Sequence, residues 1–297
     1  MSFDPRQANL NKSFRQALTP GAGHVMPGAA NALAARVIEA TGHSMLMVSG
    51  AAVANTYLGV PDIGLVSLSE LAGHVGAIRD AVNIPILIDG DTGFGNAISV
   101  IHTIRVLERA GANAIMLEDQ TFPKRCGHFE GKDVISKAEM VQKIKAAVDT
   151  RADDNMMILA RTDSRAVEGL EAALDRARAY QEAGADFLFI EAPLSNDELA
   201  AIPRELPGIH ICNMVVGGKT PLLSRQELAD LGYSVIVYAN VALQASMMAM
   251  QRTLQHLHDQ GSIAGVEDQL MMFKERQQMV DADHFNALAQ RYGTRSV

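Results

Sequence analysis

Eight short, continuously apolar runs, separated by longer segments whose apolar residues recur at three and four, constrain the fold of this chain more than any other feature. The runs are His24 to Met26, Met45 to Val48, Pro85 to Ile88, Ala114 to Leu117, Met156 to Ala160, Phe187 to Ile190, Ile209 to Cys212 and Ser234 to Val237. Helical periodicity fills the gaps, over Ala29 to Ala40, Leu68 to Ala81, Ala97 to Ala110, Lys137 to Val148 and Glu168 to Ala183. Parallel strands bury both faces and need a crossover helix between neighbours, so this alternation predicts repeated βα units. Eight of them favour a closed (β/α)8 TIM barrel, an α/β fold, over a doubly wound sheet. Ser67 followed by Glu70 predicts a capping box opening a helix. Ala110-Gly111-Ala112-Asn113 and Ala183-Gly184-Ala185-Asp186 read as two copies of one helix-ending joint.

After the eighth run, two further helical stretches, Val241 to Leu257 and Gly265 to Ala289, follow without a Pro/Gly/Ser-rich linker. The 297 residues therefore read as a single barrel domain with a C-terminal helical extension from about residue 241. Met247 to Met250 fits either core packing or a subunit contact. With 34 acidic against 26 basic residues, no nucleic-acid partner is expected, because phosphate affinity rests on clustered Lys and Arg. Only two cysteines, Cys126 and Cys212, fit a reducing, cytoplasmic setting. Met1 to Thr19 lacks the apolar segment of a signal peptide, and no stretch approaches the roughly 20 apolar residues that span a bilayer, so no membrane partner is expected.

In α/β barrels the active site lies at the C-terminal strand ends, so the polar residues just after each run matter most. They include Ser49-Gly50, Asp89-Gly90-Asp91-Thr92-Gly93, Glu118-Asp119-Gln120, Arg161-Thr162-Asp163, Glu191 and Asn213. Asp89, Asp91, Glu118 and Glu191 on neighbouring strands repel one another unless something positive sits among them. A divalent metal is the simplest answer; the alternative is that these carboxylates cap helices or pair with Arg161. The all-oxygen donor set favours Mg2+ or Mn2+ over zinc. A second constellation, Lys124-Arg125-Cys126-Gly127-His128, lies in a loop running to Lys132. A thiol beside three potentially cationic side chains has a lowered pKa and suits an acid or nucleophile, against the plainer reading of an unreactive loop thiol. Cys212, inside an apolar run, reads as a small buried hydrophobe. Gly217-Gly218-Lys219-Thr220 lacks the preceding glycine of a P-loop and reads either as a loop whose amides hold a substrate carboxylate or as an ordinary turn.

Taken in order, Asp89-Gly90-Asp91-Thr92-Gly93, Glu118-Asp119-Gln120, Pro123-Lys124-Arg125-Cys126-Gly127-His128, Ala160-Arg161-Thr162-Asp163, and Asn213 ahead of Gly218-Lys219-Thr220-Pro221 resemble the isocitrate lyase and phosphoenolpyruvate mutase superfamily. The resemblance implies a barrel whose eighth helix is swapped between subunits of a homotetramer, a mobile loop at about Gln120 to Lys132, and Mg2+ as cofactor. It implies Asp89 and Asp91 as metal-holding residues with Glu118 and Asp62 in support. Ser49, Gly50, Ala51, Gly127, Arg161, Glu191 and Asn213 would line the substrate, and Cys126, His128, Lys124 and Arg161 would act in catalysis. The Lys-Arg-Cys-Gly-His loop is similar to that of the carbon–carbon lyases of the superfamily.

Two departures narrow the substrate. Where methylisocitrate lyases place arginines for a tricarboxylate, this chain has Gln244 and Phe273. Around Phe189-Ile190-Glu191-Ala192-Pro193 and Cys212-Asn213-Met214 it resembles the 2-alkylmalate lyases, with Val216 where those have Glu. The expectation is a Mg2+-dependent lyase that cleaves a 2-hydroxy dicarboxylate such as 2,3-dimethylmalate to pyruvate and a carboxylate by retro-Claisen chemistry. Methylisocitrate cleavage, oxaloacetate decarboxylation or hydrolysis and phosphonomutase chemistry are the alternatives within the resemblance. A non-catalytic dicarboxylate binder is the alternative outside it. The base for the 2-hydroxyl stays unassigned, because the position where some relatives carry an aromatic residue is Met47.

Overall fold

A computed structural model describes residues 5–125, 127 and 131–293. A strand stands at each apolar run: β1 His24–Ala29, β2 Leu46–Val48, β3 Ile86–Asp89, β4 Ala114–Glu118, β5 Met157–Thr162, β6 Phe187–Ile190, β7 Ile211–Asn213 and β8 Val235–Tyr238. Neighbours pair in parallel in the order β6-β5-β4-β3-β2-β1-β8-β7. A parallel bridge between Leu188 and His210 joins the two edges, giving the (β/α)8 barrel. Short parallel strands of this kind are held by the helices that return the chain, and their packing is what divides the core into two shells.

The outer shell, between strands and helices, is built from Val48, Ile88, Ile115, Leu117, Ile158, Leu188 and the helix faces over them. The inner shell fills the barrel with Met26, Met45, Met47, Leu87, Met116, Met157, Leu159, Phe187, Phe189, Ile211, Val235 and Val237. Five methionines there suit a tapering interior, since the unbranched thioether adapts to irregular space. Cys212 points the other way, into a buried cluster with Leu199, Leu228, Tyr233 and Ile236, and burial pushes its thiol pKa up; it is the small hydrophobe expected.

Helices Leu68–Ala81 and Ala97–Ala110 fall where periodicity places them, and the Ser67–Glu70 capping box is present. Gly111 and Gly184 both adopt left-handed conformations at the two copied joints. Four stretches differ from the periodicity. Asn31 caps a helix that begins only at Ala32, so Ala29 ends β1 instead. Gly169, at φ +94°, divides one expected helix into Ser164–Glu168 and Leu170–Glu182. The Gly265-to-Ala289 stretch is a 3-10 turn at Glu267–Gln269 and two helices, Phe273–Met279 and Ala282–Arg291, separated at Asp281 in a left-handed conformation. The polar N-terminal segment, not expected to be helical, forms Pro5–Ala17 and delivers Phe14 and Leu18 into the inner shell, while Asn11 bonds Asp153 at 2.8 Å and Asn113 at 2.7 Å.

The Val241–Gln260 helix buries none of its residues in this chain. Met247, Met248 and Met250 are 54%, 49% and 54% exposed, so the core reading of this methionine run is overturned. No helix among the described residues is long and apolar enough to cross a membrane.

Candidate active site

Side chains alternate along a strand, so an inward-facing apolar residue puts the residue two further on at the same face, one layer nearer the rim. Leu87 leads to Asp89, Met116 to Glu118, Leu159 to Arg161, Phe189 to Glu191 and Ile211 to Asn213. The packing period that fills the barrel therefore also aims the chemistry. These residues surround a cavity of about 200 Å3 whose polar lining includes Ser49, Asp62, Asp89, Arg161, Glu191, Asn213 and Asn240. Its apolar lining comprises Met47, Met116, Phe189, Ile211, Val215 and Val237, with Ala51, Gly127, Gly217 and Gly218 at the edge. Gly50 and Asp91 face an adjoining niche with Asp62 and Asp89.

Arg161 is the hub. Its Nη1 lies 3.1 Å from Glu118 Oε2, its Nε 2.9 Å from Asp163 Oδ2, and its Nη2 3.3 Å from Glu191 Oε2. The guanidinium also sits over the Phe189 ring, 5.5 Å from the centroid. Asp163 is fully buried and, besides two bonds from Arg161, accepts a third from Lys132 Nζ at 2.9 Å; Lys132 also donates to the Gly127 carbonyl. Burial alone would raise the Asp163 carboxyl, but Arg161 and Lys132 outweigh it and hold it below the usual range. Behind it, Asp119 accepts from Asp163 N at 2.9 Å, Thr162 Oγ1 at 2.7 Å and Tyr180 Oη at 2.8 Å. Gly127 lies so close to this hub that a Cβ there would stand 2.5 Å from Arg161 Nη2 and 2.6 Å from Glu191 Cδ.

The acidic group is arranged differently from the simplest expectation. Lys124, 3% exposed, reaches between Asp62 Oδ1 at 2.5 Å and Asp91 Oδ1 at 2.7 Å. Burial disfavours its ammonium, but Asp91, Asp89, Glu118 and Asp62 outweigh that and push its pKa up. The positive charge that four strand-end carboxylates demand is thus supplied in part by the chain itself, through Lys124 and Arg161, the latter as in the alternative of pairing with Arg161. No set of three or more His, Cys, Asp or Glu side chains among the described residues is spaced to hold one metal ion.

The donor set nonetheless fits a hard cation. Asp62, Asp89, Asp91, Glu118, Asp163 and Glu191 are six carboxyl groups against the three cations Lys124, Lys132 and Arg161, an excess of three acidic groups. Burial, with Asp89 and Asp62 adding to it, raises Asp91 to about 7 against the pull of Lys124, and burial likewise pushes Glu118 well up against Arg161. Glu118 Oε1 is buried with no hydrogen-bond partner among the described residues. Asp89 accepts from Gly50 N at 3.2 Å, and a Cβ on Gly50 would meet Asp89 Oδ2 at 3.0 Å and Asp91 Oδ1 at 3.2 Å, so both carboxylates converge on one small cradle. An all-oxygen, electron-rich cradle of this kind suits Mg2+.

Of the residues expected from sequence, Ser49, Ala51, Asp62, Asp89, Gly127, Arg161, Glu191 and Asn213 line the cavity, and Gly50, Asp91, Glu118 and Lys124 adjoin it. Cys126 and His128 lie outside the described residues. Gln244 and Phe273 are exposed and away from the cavity lining, and Val216, 61% exposed, stands between the lining residues Val215 and Gly217. Asp163, Lys132 and Asn240 were not expected as site residues; Asn240 is the first side chain able to hydrogen-bond past β8, but alternation along that strand carries the inward face from Val237 to Ala239.

Barrel, rim and cavity together place a charged, concave site at the C-terminal ends of the strands, where barrel enzymes carry their chemistry. The phosphoenolpyruvate phosphomutase family model matches residues 14–258. The chain is 40% identical to 2,3-dimethylmalate lyase of Eubacterium barkeri over 286 residues, covering 96% of this chain and 99% of the relative. It is 43% identical to 2-methylisocitrate lyase of Aeropyrum pernix over 246 residues, 83% of this chain and 79% of the relative. Among solved structures, oxaloacetate acetylhydrolase bound to 3,3-difluorooxalacetate superposes with a TM-score of 0.92 at 28% identity, covering 99% and 100% of the two chains. Phosphonopyruvate hydrolase in complex with oxalate and Mg2+ superposes at 0.85 with 31% identity, covering 95% and 98%. The chain belongs to the phosphoenolpyruvate mutase/isocitrate lyase superfamily and is a carbon–carbon lyase.

Proposed function

We propose that this lyase is Mg2+-dependent and cleaves a 2-hydroxy dicarboxylate of the 2-alkylmalate type, such as 2,3-dimethylmalate, to pyruvate and a simple carboxylate. The observation that carries the reading is the cavity itself: Arg161 is the one cation among the described residues that line it, over a floor of Met47, Met116, Phe189, Ile211 and Val237. Alkyl substituents gain contact with that floor, whereas each further carboxylate would lack a charge-assisted bond of about 1.5 to 3 kcal/mol. The 40% identity to 2,3-dimethylmalate lyase supports the same substrate class.

Asp89 and Asp91 would hold Mg2+, with Glu118 and Asp62 as supporting acceptors, and the ion would supply Lewis-acid stabilisation of negative charge on the C2 oxygen. Arg161, fixed by Glu118, Asp163 and Glu191, orients the substrate oxygens through its rigid donor fork. Ser49 and Asn213 add neutral polar groups on the wall. As the C2 hydroxyl loses its proton, the C2–C3 electron pair passes to the fragment carrying the second carboxylate, which leaves as an enediolate. Cys126 then delivers a proton to its carbon, with Lys124 and His128 completing the charged surround of the thiol loop. Gly127 lets that loop approach Arg161 and Glu191.

The exposed apolar side chains of the Val241–Gln260 helix, Met247, Met250, Leu254 and Leu257 among them, support a homotetramer in which this helix packs on a second copy. A cytoplasmic enzyme with no nucleic-acid or membrane partner is the setting this reading implies. Oxaloacetate hydrolysis is the second reading, favoured by the 0.92 superposition on oxaloacetate acetylhydrolase. A panel of 2,3-dimethylmalate, methylisocitrate and oxaloacetate, each with Mg2+ and after EDTA, separates them. Pyruvate release from 2,3-dimethylmalate that EDTA abolishes and Mg2+ restores is expected; turnover untouched by EDTA removes the Asp89/Asp91 assignment, and preference for oxaloacetate or methylisocitrate removes the alkylmalate one.

A further inference from the structure

We infer that Asn240 is a specificity-determining residue, whose side-chain amide nitrogen donates a hydrogen bond to an anionic oxygen of the substrate; the inference rests on the dicarboxylate reading above. Asn240 stands between β8 and the Val241–Gln260 helix and lines the cavity. At the residue preceding a helix, an Asn side chain ordinarily accepts from a free backbone N–H of the first turn. Here it makes no such bond. Its Oδ1 instead accepts from Ser49 Oγ at 3.2 Å, while Ser49 Oγ accepts from Ala52 N at 3.3 Å, so Oδ1 is committed as the acceptor of this pair.

That commitment assigns the amide. With Oδ1 taken as acceptor, Nδ2 carries the two remaining donors, and it has no hydrogen-bond partner among the described residues. The cavity wall needs such a donor. Asp62, Asp89 and Glu191 line it against Arg161 alone, and Arg161 already commits four of its five N–H groups to Glu118, Asp163 and Glu191. A ligand bearing two carboxylates therefore depends on neutral donors, and a fixed primary amide beside Ser49 is one. Its backbone remains in the helix start, donating nothing to this argument: Gln244 N bonds Asn240 O at 2.8 Å whichever way the side chain turns.

Asn240→Asp separates contact from support. It keeps an oxygen to accept from Ser49, and Asp starts a helix as well as Asn does, but it replaces the donor by an anionic oxygen. KM for 2,3-dimethylmalate is expected to rise at least about tenfold, the loss of one charge-assisted hydrogen bond, with the thermal midpoint unchanged. Oxalate binding in the presence of Mg2+, followed by calorimetry, should weaken by a similar factor. Asn240→Ala, which loses both bonds, should be impaired as well. If Asn240→Asp matches the wild type in KM and oxalate affinity while Asn240→Ala is impaired, Asn240 acts only by orienting Ser49 and the inference is overturned. The oxalate measurement needs no turnover, so a wild type that cleaves no alkylmalate would defeat the lyase reading while the oxalate comparison still decides the role of Asn240.

Discussion

Replacing Asp163 by Asn tests whether the site is held by buried charge pairing. The substitution keeps shape and volume but removes the charge that Arg161 Nε, Arg161 Nη2 and Lys132 Nζ all meet, at 2.9, 3.1 and 2.9 Å. A charge-assisted hydrogen bond contributes about 1.5 to 3 kcal/mol against about 0.5 to 1.5 for a neutral one, so three such bonds lose roughly 3 to 5 kcal/mol. Breaking a buried ion pair by removing one partner gives the same range of about 3 to 5 kcal/mol. The asparagine NH2 must also face one of these donors, because every partner on that side donates. Arg161 keeps Glu118 and Glu191, which restrains it from leaving the rim altogether. Thermal unfolding followed by circular dichroism should show a midpoint lowered by roughly 6 to 15 °C. The shift should persist in high salt, since buried pairs are poorly screened. Steady-state kinetics on the surviving folded enzyme should show kcat reduced and KM raised, because Arg161 and the Gly127 segment lose their common anchor. A midpoint within about 2 °C of the wild type would refute the claim that Asp163 carries these pairs.

Other perturbations follow from the same geometry. Gly127→Ala places a Cβ 2.5 Å from Arg161 Nη2, so kcat/KM should fall by about a hundredfold with little change in thermal midpoint; full activity would show that this approach is not needed for catalysis. His210 is 1% exposed, and burial lowers its pKa despite the bond to the Leu206 carbonyl. The unfolded chain therefore binds the proton first, so stability is complete above about pH 6.5 and lost as pH falls below it, by up to about 1.4 kcal/mol per pH unit. Urea midpoints at pH 7 and 5.5 should converge in His210→Gln relative to the wild type, and equal pH dependence in both proteins would exclude His210 as the source. Leu254→Glu, on the exposed apolar face of the Val241–Gln260 helix, should lower the molar mass seen by light scattering; an unchanged mass argues that this face does not join subunits.

Much of this was legible before any coordinates. The run Phe187 to Ile190 is the strand, residue for residue, and Ala97–Ala110 is the helix, because continuous apolarity and a period of 3.6 are local properties of the chain. Asp89, Arg161, Glu191 and Asn213 could be named because parity along a strand carries the inward face to its end. The N-terminal helix escaped notice because its burial rests on few side chains, chiefly Phe14 and Asn11, and its value comes only from the barrel interior that Phe14 joins. The methionines near residue 248 were ambiguous for the opposite reason: apolarity is visible in sequence, but which body covers it is not.

The number and order of the βα units, and with them the rim on which the polar residues stand, follow from local periodicity and chain direction and so are written in the order of residues. How the charges on that rim are shared is not, because it depends on the packed fold. Lys124 reaches from the loop after β4 to Asp62 and Asp91, and Arg161 from β5 joins Glu118 on β4 to Glu191 past β6. Those pairings link residues up to 62 positions apart in Lys124 and Asp62, and electrostatic energy depends on distance through space and on burial, neither of which the order of residues records.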